Sequence, residues 1–120
     1  MITELAFTGS PVTDMKRARA FYEGILGFKP SMESAGGAWV ESEIGGSTLG
    51  LGSYGEGWKP SPDGTCVGLE TNDLDAEVAR LKSKGVTVHM EITDTPVCRF
   101  AIISDPDGNK ILIHQRKGTR

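Results

Sequence analysis

The sequence predicts an α+β protein made of two βαβββ modules, on three observations. One pattern occurs twice, half a chain apart: Thr13-Asp14-Met15 opens an amphipathic stretch ending in Leu26-Gly27-Phe28, and Asn72-Asp73-Leu74 opens another ending in Lys84-Gly85-Val86. Each stretch is followed by apolar runs split by a glycine turn, Gly45-Gly46 in one copy and Asp105-Pro106-Asp107-Gly108-Asn109 in the other. The chain has 120 residues, enough for a core that removes about 65% of the unfolded surface from water. A duplicated unit usually builds one symmetric fold with a cleft between its halves, so function is expected where the halves face each other.

The elements follow in order. Leu5 to Gly9 reads as a short strand. Asp14 caps a helix whose apolar positions Met15, Ala18, Tyr22, Ile25 and Leu26 recur at helical spacing, and Gly27 stops it. Strands fit Phe28 to Ser34, Ala38 to Ile44 and Thr48 to Ser53, with turns at Gly36-Gly37 and Gly45-Gly46. Residues 54–64, rich in Gly, Pro and Ser, read as a linker. The order then repeats: a strand from Cys66 to Thr71, a helix capped by Asp73 with Leu74, Val78 and Leu81 inward, and strands at Val86 to Ile92, Arg99 to Ser104 and Lys110 to Gln115. Residues 1–120 are thus expected to form a single domain, with module one at about 1–57 and module two at about 65–116.

Composition narrows the function. Charges of both signs are interspersed and the net charge is -3, so there is no basic stripe for a phosphate backbone and nucleic acid is not an expected partner. No apolar run approaches the roughly 20 residues that span a bilayer and nothing resembles a signal peptide, so a soluble, cytoplasmic protein is expected. Cys66 and Cys98 lie in neither a CxxC pattern nor beside a histidine, which suits reduced thiols better than a disulfide or zinc site.

The Asp14 helix with Phe21-Tyr22 and Leu26-Gly27-Phe28, together with the late Asp105-Pro106-Asp107-Gly108-Asn109 hairpin before an apolar strand, resembles the glyoxalase, bleomycin-resistance and extradiol-dioxygenase superfamily, also called vicinal oxygen chelate. The resemblance covers nearly the whole chain. It implies two modules whose curved, mixed sheets form a cup with the helices outside, commonly in a homodimer. In metal-using members, four His, Glu or Gln ligands point into the cup, and the equivalent positions here are Phe7, Gly50, Cys66 and Leu112. Phe, Gly and Leu offer a divalent ion no donor, and one thiol is not a site. No metal or other cofactor is therefore expected; a divalent metal held by atypical ligands is the alternative.

Strand alternation supports the same assignment. In Leu49-Gly50-Leu51-Gly52 one face is all leucine and the other all glycine, as expected where leucines pack beneath a helix and the bare face borders a cavity; Gly68 between Val67 and Leu69 fits the same scheme. Either a bulky apolar or aromatic ligand fills that space, or Trp39, Trp58, Met32 or a dimer partner does. Trp58, in the linker, can fold over the cup, and Trp commonly anchors ligands or interfaces. The expected ligand-binding set is Phe7, Trp39, Gly50, Gly52, Trp58, Cys66, Gly68 and Leu112.

Glu70 and His114, each on the cup-facing parity, are the candidates for catalysis as an oriented general base or displaced ligands; the competing reading is a solvated pair of strand-end residues. His89 is expected at the surface. Both thiols read as packing residues, not nucleophiles, and Asp105 and Asp107 as turn formers. Three functions remain open: a metal-independent protein that binds a small organic molecule, as in the bleomycin-resistance branch; a lyase, isomerase or dioxygenase with atypical ligands; and a scaffold whose tryptophans fill the cup.

Overall fold

The structure, a computed structural model, describes residue 1 and residues 3–118. The chain divides between Pro60 and Ser61 into two compact units, a break inside the Gly- and Pro-rich segment read as the linker. Unit one contains β1 (Thr8–Pro11), α1 (Met15–Arg19, prolonged by a π-type turn over Ala20–Ile25), β2 (Pro30–Ser34), β3 (Trp39–Ile44) and β4 (Ser47–Gly52). Unit two contains β5 (Val67–Glu70), α2 (Leu74–Ser83), β6 (Val88–Asp94), β7 (Cys98–Ser104) and β8 (Lys110–Arg116). The sheets have the same order, β1-β4-β3-β2 and β5-β8-β7-β6. In each, the first strand lies parallel to the last, and the other pairings are antiparallel. The fold is α+β, with the βαβββ order present twice.

Both helices are punctuated as the sequence indicates. The Asp14 carboxylate accepts the Arg17 amide and that of Asp73 accepts the Ala76 amide, each satisfying an amide that has no partner inside the helix. Gly27 and Gly85 end them, both at φ +80. The first copy spends one residue more between its cap and its glycine. The π-type turn absorbs that residue, with the Leu26 amide reaching back five residues to the Phe21 carbonyl. The wider turn also changes which side chains face inward. Ala18 and Tyr22 are buried as expected, but Phe21 joins them while Met15, Ile25 and Leu26 are only half-buried.

Each core lies between helix and sheet. In unit one Val12, Ala18, Phe21, Tyr22, Val40, Leu49 and Leu51 are buried; in unit two Leu74, Val78, Leu81, Ala101, Ile103, Ile111 and Ile113. The strand residues among them alternate with the residues of the opposite, bare face. Asp105 is buried and closes the β7–β8 turn: its Oδ1 accepts the amides of Asp107 and Asn109 and its Oδ2 the Asn109 side-chain amide, while Gly108 takes φ +84. Asp105 has the turn role assigned to it, and Asp107 enters the turn through its backbone amide.

The first strand departs from expectation. It runs from Thr8 to Pro11, not from Leu5 to Gly9, because it pairs with β4 in the register Thr8↔Leu49 to Pro11↔Gly52. Extending that pairing backward would bring Leu5 opposite Gly46, which belongs to the Gly45-Gly46 turn at φ +57 and +87, so no strand is there to receive it. Leu5 is 86% exposed. Phe7 consequently sits one residue before its strand and is exposed; Cys66 likewise precedes β5, whose pairing with β8 starts at Val67, and it is exposed instead of packed as expected. His89 is exposed on β6.

Candidate functional site

Register places the bare face of unit one. Gly9, Gly50 and Glu41 form one row across β1, β4 and β3, and Pro11, Gly52 and Trp39 form the next. The glycines are not vacant. A Cβ on Gly50 would lie 2.2 Å from the Trp39 ring, one on Gly52 would lie 2.8 Å from both Trp58 and Tyr54, and one on Gly9 2.9 Å from Trp58. Among the two readings of this face, the chain's own rings lie over it. Trp39 is fixed by its indole N–H, which donates to Glu41 Oε2 at 2.8 Å. Phe7 meets Trp39 edge-on at 5.0 Å between centroids, Tyr54 stacks on it at 6.5 Å, and Trp58 lies tilted at 6.4 Å. Phe7 and Tyr54 are each 45% exposed, so the cluster presents aromatic surface outward. A depression of about 290 Å³ adjoins Phe7, lined also by residues 4–6, Thr8 and residues 46–48.

The bare face of unit two has different chemistry. Gly68 pairs with Leu112 and Ile102 in one row, and Glu70 with His114 and Phe100 in the next. No atom comes within 4 Å of where a Gly68 Cβ would be. Glu70 and His114 are brought together: His114 Nδ1 lies 2.6 Å from Glu70 Oε1, and Glu70 Oε2 accepts the Arg116 amide at 2.8 Å. Burial opposes ionisation of Glu70, but the Arg116 amide, the His114 ring and the Arg116 guanidinium together hold its carboxyl below the usual glutamate value. Beyond the pair opens a depression of about 520 Å³ lined by Glu70, Thr71, Asn72, Gln115 and Arg116.

The thiols are separate. Cys98 is buried with its Sγ 3.2 Å from Thr95 Oγ1, and both cysteines are free. Loss of solvent around its sulfur raises the Cys66 thiol above its ordinary value, despite the opposing Leu112 amide and Lys110, which disfavours the reactive thiolate.

The positions where the resemblance expects metal ligands hold Phe7, Gly50, Cys66 and Leu112. Such a set does not fit a metal ion: three supply no donor atom, and the Gly50 position is overlain by Trp39. Among the described residues, no three His, Cys, Asp or Glu side chains gather as a metal site would require. Sequence reasoning did not single out Glu41 or Arg116. The signal for Glu41 was present in its spacing, two residues from Trp39 on the same strand face. That for Arg116 was not, because its backbone amide makes the contact.

The fold and these faces define a member of a known class. Residues 4–113 match the Glyoxalase/Bleomycin resistance protein/Dioxygenase superfamily, and the chain belongs to that family. Among solved structures, it is similar to TnmS3, an antibiotic binding protein from Streptomyces sp. CB03234, at 31% identity over 97% of this chain and 98% of that one, with a TM-score of 0.81. It is also similar to a superfamily member from Sphaerobacter thermophilus DSM 20745, at 27% identity over 95% and 98% of the two chains and a TM-score of 0.78. Lactoylglutathione lyase from Agrobacterium tumefaciens, 18% identical over 96% and 95% of the chains with a TM-score of 0.75, shares the fold. No curated protein sequence matches the chain.

Proposed function

We propose that this protein binds a small, flat organic molecule against the aromatic cluster of unit one, without a metal and without chemical turnover. The observation that carries the reading is the ring assembly of Phe7, Trp39, Tyr54 and Trp58 laid over Gly9, Gly50 and Gly52. Rigid rings held by packing and by the Trp39–Glu41 hydrogen bond offer stacking area at little entropic cost. The similarity to an antibiotic binding protein supports a ligand of that kind, and the donor-poor ligand positions support binding over metal chemistry. An enzyme using Glu70 and His114 as metal ligands is less favoured, because among the described residues no third His, Cys, Asp or Glu gathers with them to complete a site. The family resemblance extends the proposal to a homodimer, for which light scattering should give twice the 12.8 kDa chain mass. The two free thiols suit a reducing compartment such as the cytoplasm. Among the described residues, no helix is long and apolar enough to cross a membrane.

The test is a titration of flat aromatic antibiotics against intrinsic tryptophan fluorescence. At least one should quench emission saturably, and Trp58→Leu should weaken that compound about tenfold, or 1.4 kcal/mol. Saturable binding that neither Trp58→Leu nor Trp39→Leu alters would overturn the aromatic site; conversion of the bound compound to product would overturn the absence of turnover.

A further inference from the structure

The bare glycines of the two sheets differ in one respect. Gly9, Gly50 and Gly52 lie beneath aromatic rings, whereas the space above Gly68 is open. Around that opening the sheet supplies Leu112 and Ile102 from the same row and Phe100 from the next, all half-buried. The next row also carries Glu70 and His114, about 7 Å further along the strands, a step that a one- or two-ring aromatic molecule can span.

The hydrogen bonds at that polar end fix what it can recognise. An ionised carboxylate only accepts hydrogen bonds, so the 2.6 Å contact from His114 Nδ1 to Glu70 places the ring proton on Nδ1. Glu70 is itself held by the Arg116 amide, with the Arg116 guanidinium 3.6 Å away. In the neutral ring, Nε2 then carries a lone pair and no proton, so it accepts hydrogen bonds and does not donate them. The His114 side chain is 20% exposed, enough to meet a ligand on the open face. An apolar floor ending in an oriented imidazole acceptor, backed by a carboxylate, suits a flat molecule bearing an acidic hydroxyl.

We propose that unit two carries a second subsite, for phenols or enols, in which the ring lies over Gly68 and Leu112 and the hydroxyl donates to His114 Nε2, whose tautomer Glu70 sets. This rests on the reading that the chain binds flat organic molecules, and it assigns Glu70 as a positioning residue.

The experiment titrates full-length, nitrogen-15-labelled protein with 2-naphthol and with 2-methoxynaphthalene, which has the same rings but no hydroxyl proton. The readouts are the Gly68 amide, the His114 ring nitrogens and the two indole N–H resonances. The proposal expects 2-naphthol to move Gly68 and His114 Nε2 while Nδ1 stays protonated, and to bind there about tenfold more tightly than the ether. His114→Phe should abolish that preference, and Glu70→Gln should reduce it. Gly68→Val, which grows into open space, should weaken 2-naphthol at least tenfold in a folded protein. Equal affinity for the two compounds at Gly68 would overturn the proposal. So would movement of the indole signals with Gly68 and His114 unmoved, an outcome that leaves the aromatic site of unit one standing. If neither set of signals moves with either compound, both readings fall.

Discussion

Gly50 does not have a positive φ, so its backbone conformation does not demand glycine; the Trp39 indole does, by lying where a Cβ would project. Gly50→Ala must push that ring aside and is expected to cost about 1–3 kcal/mol in urea unfolding, the usual penalty for overpacking. Gly68 is the control. Its φ is not positive and the space above it is open, so Gly68→Ala should leave stability unchanged or raise it by about 0.4–1 kcal/mol through the unfolded chain's lost freedom. Glu70 gives a prediction in pH. Its carboxyl is held below the ordinary glutamate value in the folded state, so its stabilising contribution is fully present above the unfolded value of about 4.3 and is lost as pH falls through the lowered folded value. Thermal melts should therefore show the advantage of the native protein over Glu70→Gln at neutral pH shrinking as the solution is acidified below that range.

At the scale of elements, the two helices are the same device with one residue's difference. The π-type turn over Ala20–Ile25 stores the extra residue, and Gly24 within it is exposed with open space around its Cβ position. Deleting Gly24 should convert the turn to regular helix and leave a folded protein. Deleting Ala79 from α2 has no such slack: every residue beyond it turns by about 100°, which rotates Leu81 out of the core. Circular dichroism should show a cooperative melt for the first deletion and its loss for the second. Most of this level was legible in advance. The capping aspartates, the terminal glycines and the Asp105–Asn109 turn are local chemistry, written in adjacent residues. The π-type turn was not, since periodicity alone put Ile25 and Leu26 inward and missed Phe21. The first strand's limits were hidden too, because they depend on where β4 ends, far away in sequence.

For the whole molecule, the legible part is the duplicated βαβββ order; what side chains do on the bare faces is not. The alternation of leucine and glycine in β4 identified a face without side chains, yet it did not distinguish an empty face from one roofed by Trp39, Tyr54 and Trp58, which come from β3 and the following segment. Likewise, Glu70 and His114 share a face by parity, but their 2.6 Å contact required the parallel register of β5 on β8. If no metal contributes to the native state, EDTA should leave the thermal midpoint unchanged and millimolar zinc, nickel or manganese should not raise it, since a ligand stabilises only by binding the folded form more tightly. The Gly50–Trp39 contact also limits which side chains position 50 can take. A histidine or glutamate there meets the indole before it can meet a metal. A donor at position 50 and the present placement of Trp39 therefore compete for one volume, so a ligand side chain introduced at that position would have to displace part of the stacking surface to reach an ion.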